Sequence, residues 1–130
     1  MTHELYPQVS RVLTHKRREL APDPAASFHD FGKAVFATGA LSTETKHIIA
    51  VAVAHVTQCA YCIRGHTRAA LREGASQEEL MEAIWVAAEM RAGASFAHSL
   101  IAIAEMNDFD LVAANGHPSH ASVVGERHDH

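Results

Sequence analysis

The stretch "TKHIIAVAVAHVTQCAYCIRGHTRAALREGAS", residues 45–76, decides how the rest of the chain is to be read. It opens with the apolar run "IIAVAVA" at 48–54, embedded in a longer alanine-rich segment with no turn signal on either side, which favours a helix over a strand at 48–53. Ser42 is placed to cap that helix. Ile48, Ile49, Val51, Ala52 and Val53 leave it little polar face, so it should lie deep in the domain or in a subunit contact. A second helix should run from about Cys59 to Glu73 and stop at Gly74, a residue suited to a left-handed helix end.

On that second helix Cys59, Cys62 and His66 fall within an arc of about 60°, and Cys62 lies one turn, roughly 6 Å, from His66. A thiol reacts as the thiolate, which a helix N-terminus and a histidine one turn away both favour. The two-residue gap also lets the cysteines close a disulfide with each other, so that one resolves what happens at the other. In the preceding helix Glu44, His47, Val51 and His55 recur along one narrow stripe. A short link near Thr57 and Gln58 would let part of that stripe face the cysteines and supply proton donors and acceptors.

Outward from this segment the chain reads as helical. It has 130 residues, 48% apolar and only 6% aromatic, a mix that suits alanine-rich helices packed around one core. Val9, Val12, Leu13 and Leu20 mark a first helix within 4–20, limited at its start by Pro7. Asp23 as cap and Pro24 as first helical residue open a second, with Phe28, Phe31, Val35 and Phe36 on one face and Gly39 as its stop. Ser76 and Glu79 form a capping box that opens a fifth helix, with Leu80, Ile84, Val86, Ala87 and Met90 as core candidates and Gly93 as its end. A sixth should follow over 94–106; Trp85, Met81 and Met90 read as core or interface residues, and His98 as a packed histidine rather than a catalytic one. We expect a single domain over 1–111 and a disordered, His-rich tail over 112–130.

A net charge of −4 disfavours nucleic acid, and no apolar run is long enough for a membrane span or a signal peptide, so a cytoplasmic protein is expected. In a reducing compartment two cysteines argue for metal binding or redox chemistry over a structural disulfide. A zinc module built on Cys59, Cys62, His66 and His55 is the competing reading.

Residues 45–76 resemble the alkyl hydroperoxidase D-like (AhpD-like) proteins of the carboxymuconolactone decarboxylase superfamily, and "MRAGASFAH" at 90–98 is similar to that family's following segment. The resemblance implies an all-α bundle of about six helices, with the CxxC motif at the N-terminal end of a central helix. It implies a homotrimer or homohexamer that reduces a hydroperoxide or disulfide substrate, with an external dithiol as electron donor and neither cofactor nor metal. By matching position, Cys62 attacks and becomes a sulfenic acid, Cys59 resolves it, and His66 serves the proton relay. Helix position alone favours Cys59 as the more acidic thiol; the resemblance favours Cys62 as the attacking one. His47 stands where the family usually carries the relay glutamate, with Glu44 one turn away to orient or charge it. Tyr61 stands where other members carry a further relay histidine. Superfamily decarboxylases that lack the cysteine pair would leave this CxxC without a task.

Overall fold

In the computed structural model, residues 5–116 are described. They form five helices and, among the described residues, no strand: α1 (Arg11–Leu20), α2 (Pro22–Phe36), α3 (Thr43–Thr57), α4 (Ala60–Arg72) and α5 (Gln77–Asn115). The all-α expectation holds. The count is five and not six because α5 runs through Gly93, which was expected to end it. A helical glycine costs only about 1 kcal/mol against alanine and cannot break a helix as proline does. The Glu89 carboxylate packs over the bare Cα, where an added Cβ would meet it at 3.4 Å. Residues 112–115, placed in the tail by the sequence, continue α5, Gly116 turns after it with φ 63°, and residues 117–130 of that tail lie outside the described residues.

The chain divides into two compact units, the first ending at Ala88 and the second beginning at Glu89. In the first, Val51, Ala70, Ala75 and Leu80 form the core, with Ile48 and Ile84 packed against it. α3 and α4 make a helical hairpin around this core. Their link is short because Gln58 takes the left-handed conformation (φ 57°) and both its N–H and that of Cys59 close on the Ala54 carbonyl. At the far end of α4, Gly74 (φ 104°) turns the chain in the same sense. Its N–H bonds the Leu71 carbonyl and that of Ala75 bonds Ala70, the paired bonds that satisfy the last carbonyls of a helix. Ser76 and Glu79 then bond each other reciprocally, at 3.0 Å both ways, and start α5 as the capping box requires.

α2 differs from its expected bounds at both ends. Its cap is Ala21, with no side-chain bond, so that Pro22 is already helical and Asp23 lies in the first turn. It stops at Phe36, three residues before Gly39, because α3 supplies the partners its last carbonyls need. Thr43 Oγ1 donates to the Phe36 carbonyl at 2.8 Å, and Lys46 Nζ donates to those of Val35 and Ala37 at 2.8 and 2.5 Å.

Many of the apolar residues expected in the core or in a subunit contact are exposed in the single chain. Ile49, Val53, Val86 and Met90 are exposed, as are Met81, Trp85 and His98, and in the second unit Phe96, Leu100, Ile101 and Phe109 are exposed as well. Periodicity identifies an apolar face but not whether the same chain covers it.

Candidate functional site

Cys59 is the N-cap of α4 and not its first helical residue. Its Sγ accepts the Cys62 N–H at 3.2 Å, the position a serine or aspartate oxygen takes in an ordinary cap. The left-handed turn at Gln58 places it there, directly after the end of α3. Cys62 follows in the first turn, and the two are joined as a disulfide with a Cα–Cα separation of 5.2 Å. In the reduced protein the Cys62 N–H and the positive end of the α4 macrodipole would favour negative charge on the Cys59 sulfur.

One turn beyond Cys62, the half-buried His66 meets His47 from α3, with Nδ1 3.0 Å from Nδ1. Phe36 from α2 stacks on both imidazoles, its ring centroid 4.6 Å from that of His47 and 4.9 Å from that of His66. Burial pushes the His66 imidazolium below the ordinary histidine range, and positive charge on His47 pushes it the same way. The pair is therefore suited to share one proton between two nitrogens. Sequence spacing pointed to both histidines but not to Phe36, which read only as one of four apolar residues on α2. No local signal marks it, because the bonds of Thr43 and Lys46 to the last carbonyls of α2 come from another helix.

The stripe on α3 therefore serves several ends. His47 joins His66, Val51 is fully buried in the core, and His55 Nδ1 bonds the Val51 carbonyl of its own helix at 2.7 Å. Glu44 lies at the opposite end of the hairpin from the cysteines, its Oε2 3.5 Å from where a Cβ on Gly74 would stand. Tyr61, between the cysteines, donates its hydroxyl to the Pro7 carbonyl at 2.9 Å and packs edge-on against Tyr6. Among the described residues no group of three or more His, Cys, Asp or Glu side chains is placed to hold a metal ion, so the zinc set of Cys59, Cys62, His66 and His55 does not converge. No described helix is long and apolar enough to cross a membrane.

Cys62 and His66 border a cleft of about 1090 Å³ between α1, α2 and α4, whose α2 wall carries Phe28, Phe31, Val35 and Phe36. Cys59 is not part of this lining. The cleft thus meets one cysteine of the pair and one histidine of the couple.

The model of the carboxymuconolactone decarboxylase family matches residues 22–105. A Paracoccus denitrificans protein described as uncharacterized protein 4 in the cox locus is 60% identical over 84 residues, 65% of this chain and 76% of its own. Among solved structures, the apo form of a carboxymuconolactone decarboxylase family protein from Legionella pneumophila is 31% identical, with a TM-score of 0.59 over 75% of this chain and 88% of that one. A family member from Thermotoga maritima, for which a part in the antioxidative response has been suggested, is 27% identical with a TM-score of 0.51, over 71% of this chain and 95% of that one.

Proposed function

The chain belongs to the carboxymuconolactone decarboxylase family, and from that premise we propose that Cys59 and Cys62 work as a thiol–disulfide pair that reduces hydroperoxides or a disulfide substrate. The observation that carries this reading is the position of the disulfide: Cys59 caps a helix, and Cys62 borders the same cleft as His66, one member of a hydrogen-bonded histidine pair. The Thermotoga relative's suggested antioxidative part agrees with it.

In the forward step the Cys62 thiolate attacks the terminal oxygen of the hydroperoxide. An S–O bond forms, the O–O bond breaks, and the departing alkoxide takes a proton from His66, which His47 replenishes across their shared hydrogen bond. The Cys59 thiolate then attacks the Cys62 sulfenic acid, forming the disulfide and releasing hydroxide, which leaves as water with one proton. An external dithiol attacks the Cys62 sulfur and expels Cys59 as thiolate, leaving a mixed disulfide; the donor's second thiolate then displaces Cys62 as thiolate and closes the donor's own disulfide. Both later steps use Cys59 as an anion, and its place at the helix cap suits that. Glu44 is assigned no part in the relay.

The same reading takes the protein as a cytoplasmic homotrimer or homohexamer. The apolar side chains on α5, with Phe96 82% and Trp85 67% exposed in the single chain, need cover that a second copy would supply.

The test is a thiol count on the reduced protein before and after one equivalent of tert-butyl hydroperoxide. Both thiols should disappear together in the wild type. Cys59→Ser should stop at a sulfenic acid on Cys62 and turn over once only. Full turnover in either Cys62→Ser or Cys59→Ser sinks the two-cysteine cycle.

A further inference from the structure

The cleft above Cys62 has two kinds of wall. One is apolar, formed by Phe28, Phe31 and Phe36, with the Phe36 ring stacked on His66 and Cys62 in the same lining. The other is cationic: Arg17 and Arg18 from the last turn of α1 and Lys33 from the last turn of α2 line the same space, while no aspartate or glutamate does. Among the described residues none of these three cations has a carboxylate partner. Each suits the negative end of its own helix, but one charge would serve there. Three in a space without acids set up a positive potential that a neutral ligand would leave unused. The volume, about 1090 Å³, lies just above the ~300–1,000 Å³ typical of small-molecule sites.

We propose that this cleft binds an amphipathic monoanion, a carboxylate on an apolar stem, with the head on Arg17, Arg18 and Lys33 and the stem along Phe28, Phe31 and Phe36. That the stem carries a hydroperoxide for Cys62 rests on the thiol reading above; the binding of the anion does not. The substrate class is then an organic hydroperoxide bearing a carboxylate, reduced to the corresponding hydroxy acid by the step already given.

Calorimetric titration of the oxidised full-length protein, which cannot turn over, tests the binding with three probes. Octanoate has head and stem, acetate only the head, and 1-octanol only the stem. Octanoate should bind at least ten-fold more tightly than either fragment. The Arg17→Gln/Arg18→Gln double variant and Lys33→Gln should each weaken octanoate by about ten-fold while leaving 1-octanol unchanged. Phe31→Ala should weaken octanoate and 1-octanol alike. These side chains are on the surface, and an unaltered melting temperature shows that the variants fold. Equal affinity for octanoate and 1-octanol, or octanoate binding unchanged in the charge variants, overturns the proposal. The thiol count with tert-butyl hydroperoxide separates the two readings. Thiol loss without octanoate binding defeats the anion site alone; octanoate binding without thiol loss defeats the redox reading alone.

Discussion

His47 Nδ1 lies 3.0 Å from His66 Nδ1, and the ring of Phe36 covers both imidazoles. A hydrogen bond between two such nitrogens needs one proton and has no room for two, since a doubly charged pair would set N–H against N–H. In the proposed relay, a proton that His66 gives up would be restored by His47 across this bond. A glutamate at position 47 would hold one proton against the ring; the histidine found there also carries a second nitrogen from which a proton can arrive.

Removing either ring should slow thiol oxidation. For His66→Gln, loss of the proton donor should reduce the rate with tert-butyl hydroperoxide by about 10²-fold, the low end for a general acid. His47→Gln should cost less, and the double variant no more than His66→Gln alone, because the two act as one relay. Stopped-flow measurement of thiol loss decides it, and a wild-type rate in His66→Gln would remove the relay.

Stability should fall on acidification, for the same reason. His66 takes up a proton less readily in the folded protein than in the unfolded chain, where its ordinary value is 6.5. Below that pH the unfolded chain therefore binds more protons, and stability is lost as the pH falls from about 6.5 toward the lowered folded value. Urea unfolding of the oxidised protein at pH 7.5 and pH 5.5 should show the loss in the wild type and a smaller one in His66→Gln. An equal loss in both would show that His66 is not the group responsible.

The parts of the fold legible in the sequence are those set by local chemistry. Ser42, Gly74 and the Ser76–Glu79 box each act within a few residues of themselves, and the structure uses all of them. The end of α2 was not legible, because it depends on Thr43 and Lys46 reaching back from another helix. Likewise Gly93 could be read as a stop only by weighing its cost alone, without the alanine-rich helix on both sides of it. Within the candidate site the spacing put Cys59, Cys62 and His66 on one helical face; Cys62 and His66 share the cleft, whereas Cys59 caps the helix from outside it and joins them through the disulfide. The α3 stripe carries both His47, read as the relay residue, and His55, read as a possible zinc ligand, and their distances from the link set them apart in the structure as well. His47 faces His66 across the hairpin, whereas His55, close to the turn, bonds its own helix.

Gly74→Ala should destabilise the protein by about 1–2 kcal/mol, the cost of a side chain in left-handed backbone. An added Cβ would stand 3.5 Å from Glu44 Oε2, an ordinary contact, so the cost should come from the φ of 104° and not from crowding. Glu44→Ala should therefore fail to rescue it. Denaturant midpoints for the two single variants and the double variant test this, and recovery in the double variant would make the contact responsible instead.

Tyr61→Phe should release the segment that precedes α1. The phenol hydroxyl donates to the Pro7 carbonyl at 2.9 Å, and Tyr6 packs edge-on against the same ring with centroids 5.9 Å apart. Loss of the hydroxyl removes the bond but keeps the aromatic contact, so the cost to global stability should be about 1 kcal/mol or less. The local effect should be larger, because this bond joins residues 54 positions apart and holds a segment with no regular structure of its own. Limited trypsin digestion should cut after Arg11 several-fold faster in Tyr61→Phe than in the wild type, with cleavage inside α3 and α4 unchanged. Since Tyr61 stands between the two cysteines, the digestion should be run on oxidised and reduced protein alike. A wild-type cutting rate at Arg11 in both states would show that the hydroxyl does not hold the segment.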